Sequence, residues 1–176
     1  MTLHYQRLEQ AALDVIDALR QIPQFSDLGI AVIGGFARVH HNRGSRGTSD
    51  VDFIIDTAEI ALEREIKQAI LNLGGTDFSQ EAHVFRHVLN GGTDYCRVDF
   101  FPRDICPYLP PAAQQVQHIP LNAIPFISPT DLIVFKIHSC GTRGDATKNK
   151  DDAVTPRLCF VRWPRRSRLH DSSKMS

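Results

Sequence analysis

The strongest signal in this chain is the stretch Thr48-Ser49-Asp50-Val51-Asp52-Phe53-Ile54-Ile55, which follows Val32-Ile33-Gly34-Gly35. Apart from Asp52, the segment from Val51 to Ile55 is apolar and β-favouring, so it predicts a strand. Residues two apart in a strand point to the same side, so Asp50 and Asp52 face one way. Two carboxylates held that close repel each other and raise each other's pKa. A bound cation relieves this repulsion, and oxygen ligands of this kind suit Mg²⁺.

A third aspartate, Asp99, lies in a second strand-like run, Tyr95-Cys96-Arg97-Val98-Asp99-Phe100-Phe101. Alternation along the run places Arg97 and Asp99 on one face and the apolar residues between them on the other. If this strand pairs beside the first, three carboxylates converge on one site suited to two-metal phosphoryl transfer. The alternative is that the first two aspartates cap a turn before a strand and that Asp99 pairs with Arg97 or another basic residue.

The glycine pair Gly34-Gly35 lies where a strand would pass into a helix. Two residues without side chains leave room for a triphosphate to approach the backbone, and the free N–H groups of the helix start can face its oxygens. An ordinary tight turn is the alternative. The following loop, residues 40–47, adds Arg43 and Arg46, and we expect one of them to contact phosphate.

This ordered set resembles the nucleotidyltransferase superfamily of DNA polymerase β type. The family pattern is an apolar strand, Gly-Gly or Gly-Ser, a short helix, Asp-apolar-Asp and a later Asp. The string Ile33-Gly34-Gly35-Phe36-Ala37 through Arg46-Gly47-Thr48-Ser49-Asp50-Val51-Asp52 is most similar to the minimal branch, which includes the nucleotidyltransferase toxins of abortive-infection toxin–antitoxin systems. The resemblance covers residues 30 to 152 and implies an α/β (α+β) fold, with a small mixed β-sheet flanked by helices.

The resemblance also implies a reaction, in which a nucleoside monophosphate moves from an NTP to a hydroxyl or amine acceptor and pyrophosphate leaves. Asp50 and Asp52 would bind the metal, Mg²⁺ or Mn²⁺, and the triphosphate. Asp99 would hold the catalytic metal or act as general base. The expected nucleotide contacts are Gly34, Gly35, Arg46, Ser49 and Lys136. The NTP is expected to be ATP or another ribonucleotide, and the acceptor stays open between a protein side chain, an RNA end and a small molecule.

A further signal is Leu132-Ile133-Val134-Phe135-Lys136-Ile137, which is apolar except for its lysine and lies in a helix predicted to end near Cys140. An inward lysine needs a partner, and a nucleotide phosphate is one. The alternative is a stem that snorkels to water or to a nearby carboxylate. The resemblance favours phosphate, because minimal nucleotidyltransferases carry a lysine in a matching helix. A charged patch follows in relatives, here residues 143–152, where Asp151 or Asp152 would face the site.

Length and composition favour one compact domain, since the chain has 176 residues of which 42% are apolar. We predict a domain of residues 1–154 and a basic tail, residues 155–176, that is irregular or disordered. The tail carries six basic residues and one acidic residue, whereas residues 1–154 carry 14 basic and 19 acidic ones. An acidic body argues against broad nucleic-acid binding, although the tail could contact phosphates.

The sequence lacks a secretory signal and any run long enough for a membrane span, and its four cysteines show no CxxC pairing. A reduced, cytoplasmic protein is the simplest interpretation. After residue 154 the sequence departs from the family, which would continue with helices. The alternative function is therefore a catalytically impaired nucleotide-binding or protein-interaction module with the same fold, and a third is a nucleic-acid binder that uses the tail.

The remaining elements follow from apolar periodicity and turn residues. Two amphipathic helices are expected, the second of them stopped by Gly74-Gly75, together with a strand that leads into the first glycine pair. A hairpin is expected around Asn90-Gly91-Gly92, and two short strands after it. In residue numbers the helices are 8–19 and 62–73, the strands 30–33, 82–89, 95–101, 116–119 and 124–127.

Overall fold

The computed structural model of the chain describes residues 3–42, 47–89, 92 and 94–142. Within these ranges the chain forms four α-helices and six strands. The helices are α1 (Leu3–Arg20), α2 (Gly34–His41), α3 (Ile60–Asn72) and α4 (Pro129–Thr142). The strands are β1 (Gly29–Ile33), β2 (Asp50–Ile55), β3 (Phe78–Glu81), β4 (Val84–Leu89), β5 (Asp94–Pro102) and β6 (Gln114–Gln115).

The six strands form one mixed sheet in the order β3-β4-β5-β2-β1-β6. β2 and β5 run parallel, whereas the other neighbouring pairs are antiparallel. A parallel pair needs a crossover, which the chain makes through α3 and the β3–β4 hairpin. This arrangement confirms the prediction of a small mixed sheet flanked by helices. It also confirms that the strand of Asp99 pairs beside the strand of Asp50 and Asp52.

One face of the sheet is packed against α1 and α3 and holds most of the apolar core. Four phenylalanines follow one another across β3, β4, β5 and β2 on this face, with neighbouring ring centroids between 5.4 and 6.2 Å apart. They are Phe78, Phe85, Phe100 and Phe53. Close aromatic contacts of this kind add to the stabilisation from burial alone, so this row fixes the register of the strands that carry the aspartates.

The opposite face is covered over β1 and β2, where α2 and α4 pack against each other. α2 follows β1 without a connecting loop, and α4 returns to the same end of the sheet. Gly34 at the start of α2 and Leu132, Phe135 and Lys136 of α4 line one cavity with Asp52. The two helices therefore frame the side of the sheet on which the β2 carboxylates lie.

The predictions fail where strands are short. The segment predicted as a strand over 116–119 forms a 3₁₀ turn, Val116–His118, and the edge strand is β6, just before it. The run 124–127 contributes a single bridge, between Val32 and Phe126. A short apolar run has no periodicity of its own, so its pairing depends on which sheet edge lies beside it.

The β3–β4 hairpin was also not predicted as such. β4 begins at Val84 because Ala82 has a φ of 51°, in a turn, and β3 pairs with β4 before it. The sequence of β3, Phe-Ser-Gln-Glu, has one strong β-former, and its strand exists because β4 offers an edge. Within the described residues, no helix is both long and apolar enough to cross a membrane.

Candidate functional site

The parallel pairing of β2 with β5 brings the three predicted carboxylates to one face of the sheet. Asp52 lies directly opposite Asp99 in the register, and Asp50 lies opposite Arg97. Residues at matching positions of neighbouring strands point to the same side, about 4.8 Å apart along the hydrogen-bonding direction. The intervening residues Val51 and Val98 are fully buried on the other face. The alternation predicted from sequence therefore holds for both strands.

The pKa of Asp52 is raised from its ordinary value to about 6. Burial of the carboxylate contributes most, followed by the negative charges of Asp99 and Asp50. Two influences act in the opposite direction, the positive charge of Lys136 and a hydrogen bond from the backbone N–H of Gly35. The ionised form of Asp52 is thus energetically unfavourable in the protein alone. A cation bound beside the carboxylate would offset much of this unfavourable free energy.

The turn from β1 into α2 approaches Asp52 so closely that only glycine fits at its first position. Gly34 has a φ of +69°, in the left-handed region, and a Cβ added there would lie 1.9 Å from Oδ2 of Asp52. At Gly35 an added Cβ would lie 2.5 Å from Oγ1 of Thr48. Both glycines are therefore required by close approach, and the ordinary tight turn is not sufficient to explain them.

The residues just before β2 are arranged around Asp50. The hydroxyl of Ser49 donates to Oδ1 of Asp50 at 3.0 Å, and the backbone N–H of Asp50 donates to Oγ1 of Thr48 at 3.4 Å. A contact between the ring of His4 and the carbonyl of Thr48 attaches this segment to α1. Ser49, a predicted nucleotide contact, thus lies at the site with its hydroxyl engaged by the first aspartate.

Two contacts of Asp99 bear on the alternatives that the sequence left open. It lies beside Asp52, and it also forms an ion pair with Arg97, in which Nε lies 2.8 Å from Oδ2 of Asp99. The pKa of Arg97 is raised: burial alone would lower it, and the charge of Asp99 together with the hydrogen bond to it outweighs that effect. Arg97 therefore occupies one carboxylate oxygen that a metal or an acceptor hydroxyl would otherwise use.

Lys136 is half-buried and lines a cleft of about 510 Å³ together with Asp52 and Gly34. Its charge lowers the pKa of Asp52, so the two groups are electrostatically linked across the cleft. The start of α4 is fixed by a capping hydrogen bond, in which the backbone N–H of Asp131 donates to the hydroxyl of Ser128 at 3.1 Å. Ser128 is therefore the N-cap of α4.

The far wall of the cleft is formed by residues that the sequence did not indicate. The segment 104–107 after β5 faces Leu132 and Phe135 of α4, and Ser139 and Thr142 extend the cleft along the helix. Tyr108 donates its hydroxyl to Asp131 at 2.6 Å, which ties this segment to the start of α4. Nothing in the local pattern predicts this wall, because it depends on where the chain turns after β5.

Among the described residues, no three His, Cys, Asp or Glu side chains form a ready-made metal site. The donor set nevertheless suits Mg²⁺, which proteins usually hold through one or two carboxylates while substrate phosphates complete its coordination. Asp50 and Asp52 would be those ligands, with Asp99 available once Arg97 releases it. The predicted contact Arg46, its neighbour Arg43, both candidates Asp151 and Asp152, and the tail lie outside the described residues.

Comparison with known proteins gives a likeness of fold. No protein-family model matches the sequence, and no curated protein matches it either. A solved structure, an antigenic nucleotidyltransferase-like protein from Paracoccidioides brasiliensis, superposes with a TM-score of 0.60 at 20% sequence identity. The match covers 89% of this chain and 76% of that one.

Two further solved structures are similar at a TM-score of 0.39 and 13% identity. They are a cytoplasmic RNA terminal U-transferase, with 92% of this chain and 39% of that one covered, and the antibiotic-resistance factor ANT(2'')-Ia, with 85% and 87% covered. At this level of similarity these two structures say nothing more about the fold or the site of this chain. Membership of the toxin-like branch stays a prediction. The superposition over most of the chain therefore shows the fold: this chain has the nucleotidyltransferase-like fold of the Paracoccidioides brasiliensis protein.

Proposed function

We propose that this protein is a Mg²⁺-dependent nucleotidyltransferase, which moves a nucleoside monophosphate from an NTP to a hydroxyl or amine acceptor. The observation that supports this most is the environment of Asp52. The half-buried carboxylate of Asp52 lies in register with Asp99, its pKa is raised to about 6, and the start of a helix closes over it. A carboxylate whose ionised form is destabilised in this way is typical of a functional site, and here a bound cation would stabilise it.

In this proposal the triphosphate lies between the start of α2 and Lys136. Gly34 and Gly35 let the phosphates approach backbone N–H groups, and the helix dipole favours negative charge there. The ammonium of Lys136 neutralises phosphate charge from across the cleft. Mg²⁺, when bound by Asp50 and Asp52, would supply further charge neutralisation and orient the triphosphate.

The reaction forms one bond and breaks one. The acceptor oxygen or nitrogen attacks the α-phosphorus, and the bond from that phosphorus to the oxygen bridging to the β-phosphate breaks, so that pyrophosphate leaves. Asp99 lies beside Asp52, where it can accept the acceptor proton after its ion pair with Arg97 opens. The residues of this chain thus orient the reacting groups, and catalysis rests mainly on positioning and electrostatics.

A labelling experiment tests the proposed activity. The protein is incubated with each α-³²P-labelled ribonucleoside triphosphate, with Mg²⁺, and with fractionated acceptors: itself, cellular RNA, or small metabolites. We expect label to enter one fraction with stoichiometric release of pyrophosphate. EDTA should stop both, and excess Mg²⁺ should restore both. Tight Mg²⁺-dependent nucleotide binding with neither labelling nor pyrophosphate release would favour the catalytically impaired module instead.

Lys136→Met should weaken binding of the Mg²⁺–nucleotide complex by roughly tenfold or more, because a charge-assisted contact is worth about 1.5–3 kcal/mol. Methionine keeps an unbranched apolar stem, so the packing of α4 is retained. Isothermal titration calorimetry with a non-hydrolysable nucleotide analogue measures the change.

The matched control is Lys67→Met. Lys67 also has a half-buried stem, but its ammonium pairs with Glu63 on α3, on the other side of the sheet. That variant should bind nucleotide as the parent does. If Lys136→Met also binds as the parent does, the stem snorkels, and Lys136 has no phosphate partner.

A further inference from the structure

The face of the sheet that carries the aspartates continues beyond them without a covering helix in the described part of the chain. Along β4 and β5, Phe85, Cys96 and Val98 are buried, whereas the residues alternating with them are not. The open positions include Arg86, which lies opposite Arg97 in the register. This open face leads directly from Asp99 to the outer strands.

Three side chains on this open face form what we call the acceptor patch: Tyr95, Arg97 and Arg86. Tyr95 is 54% exposed, and the guanidinium of Arg86 lies over its ring at 5.1 Å from the centroid. Arg86 is held in turn by the hydroxyl of Ser79 at 3.0 Å and by Glu81 at 2.8 Å. The ring and the guanidinium are therefore stacked and oriented, although both are accessible.

The acceptor patch is continuous with the proposed active site. Arg97 lies between Tyr95 and Asp99 on the same face of β5, and half of its side-chain surface is exposed. A strand rises about 3.3 Å per residue, so the patch extends roughly 13 Å from Asp99 to Tyr95. Arg97 forms an ion pair with Asp99, so of the two arginines of the patch it is the one that contacts a proposed catalytic carboxylate.

We propose that the acceptor patch binds a single-stranded polynucleotide whose 3′ end is the acceptor of the transfer, an inference that rests on the proposed function. An unstacked base lies on the exposed part of the Tyr95 ring, and the phosphates contact Arg97 and Arg86. An accessible aromatic ring flanked by guanidinium groups is the combination by which proteins hold single strands, because every base has a flat face and every nucleotide a phosphate.

The dimensions and charges of the patch favour this acceptor over a protein side chain or a small molecule. A small acceptor would need contacts close to Asp99 only, whereas the patch reaches Tyr95, four residues away. Guanidinium groups match carboxylate as well as phosphate oxygens, so the exposed ring of Tyr95, on which a base can stack, is what favours a polynucleotide over a protein acceptor. The acidic balance of residues 1–154 restricts such binding to this local patch, so we expect few phosphate contacts.

In the resulting reaction the 3′ hydroxyl oxygen of the strand forms a bond with the α-phosphorus of the NTP. The bond between that phosphorus and the β-bridging oxygen breaks, pyrophosphate leaves, and the hydroxyl proton passes to Asp99. A phosphate of the strand at Arg97 competes with Asp99 for the guanidinium. Binding of the acceptor would thereby free the carboxylate that the transfer needs.

Fluorescence anisotropy with the full-length protein and no NTP tests the patch directly. The probes are labelled single-stranded RNA and DNA of the same sequence, and the corresponding duplexes. We expect a preference for single strands, because bases in a duplex are not free to stack on Tyr95. Tyr95→Ala should weaken binding about tenfold, whereas Tyr95→Phe should bind as the parent does, since the ring is retained.

Arg86→Ala is paired with Arg64→Ala, which removes an exposed arginine from α3 on the covered side of the sheet. The first should weaken binding and reduce the slope of log affinity against log salt by about 0.7, and the second should change neither. The comparison of RNA with DNA decides which polynucleotide is used, because the proposed contacts to base and phosphate do not involve the sugar.

The proposal is overturned if Tyr95→Ala and Arg86→Ala bind single strands as the parent does. It is equally overturned if the affinity falls only in the double variant Arg165→Ala, Arg166→Ala, which would place binding in the tail, or if the labelling experiment marks a protein. Titration of Tyr95→Ala with the Mg²⁺–nucleotide complex separates the two proposals. If Tyr95→Ala still binds the nucleotide but no longer binds single strands, the acceptor patch is supported. If the parent protein itself does not bind the nucleotide, the proposed function is contradicted instead.

Discussion

Asp52→Asn should abolish nucleotide transfer and, at the same time, stabilise the metal-free protein. The parent carboxylate is ionised at pH 7.5, although burial and two neighbouring aspartates raise its pKa to about 6. Against its ordinary value of 3.8, that shift corresponds to a cost of up to about 3 kcal/mol in the folded state. Asparagine has nearly the same shape and carries no charge, so the unfavourable free energy of the buried negative charge is removed. The proposed metal ligand is lost at the same time.

The pH dependence of this stabilisation has a definite sign. The pKa of Asp52 is higher in the folded than in the unfolded protein, so the folded state binds the proton more tightly. Well below pH 3.8 the carboxylate is protonated in both states, and the parent and Asp52→Asn should be equally stable. Between pH 4 and pH 6 the parent loses stability relative to the variant, and above pH 6 the difference should be constant. Urea unfolding of both proteins in EDTA at several pH values measures it.

Asp56→Asn is the matched control. Asp56 follows β2 directly and forms an exposed ion pair with Arg103 at 2.7 Å, away from the three carboxylates. Its removal should cost no more than about 1 kcal/mol and leave transfer unchanged. Adding Mg²⁺ and nucleotide should stabilise the parent and Asp56→Asn, but not Asp52→Asn. Persistent labelling by Asp52→Asn would mean that the site is elsewhere.

The sequence predicted the centre of the site well because that part depends on strict local rules. Alternation along a strand places Asp50 and Asp52 on one face whatever surrounds them, and the same rule applies to Arg97 and Asp99. A single further fact, that β2 and β5 are neighbours in register, completes the cluster. The aromatic and β-branched residues on the covered face of both strands suit such a paired, half-buried position.

The periphery of the site could not be predicted, because it is defined by contacts between distant segments. The cleft wall at 104–107 requires the 3₁₀ turn after β5 and the bond from Tyr108 to Asp131. The acceptor patch requires that Arg86 and Tyr95 come from two strands joined by a hairpin and that no described helix covers them. Neither arrangement has a periodicity or a motif, so only the assembled sheet reveals it.

The ion pair between Arg97 and Asp99 confirms the structural interpretation of Asp99, whereas its catalytic role stays a prediction. A carboxylate beside Asp52 is destabilised by its neighbours unless a positive charge is near. In the protein alone Arg97 supplies that charge, and in the proposed reaction a bound metal would supply it instead. The structural role and the proposed catalytic role therefore belong to the same side chain at different stages.

Gly34→Ala should destabilise the protein by about 2 kcal/mol or more and remove nucleotide binding. The φ of +69° strains any residue with a Cβ, at a cost of about 1–2 kcal/mol. In addition, the new methyl group would lie 1.9 Å from Oδ2 of Asp52, so either the carboxylate or the start of α2 must move. The Asp52 carboxylate and the start of α2 are both proposed to contact the nucleotide. A displacement of about 1 Å at such a site is enough to lower activity strongly.

The contribution of the contact with Asp52 can be separated from that of the backbone. Gly74→Ala places a Cβ at nearly the same φ, +66°, where nothing lies within 4 Å, so it measures the strain alone. Its cost in urea unfolding should be clearly smaller than that of Gly34→Ala. The double variant Gly34→Ala, Asp52→Ala removes the two shortest contacts, at 1.9 and 2.8 Å, and leaves the one with the Cβ of residue 52 at 3.1 Å. The cost of the glycine substitution should therefore fall towards the Gly74→Ala value. Equal costs at the two glycines would show that the start of α2 does not press on Asp52, and the proposed phosphate cradle would lose its structural basis.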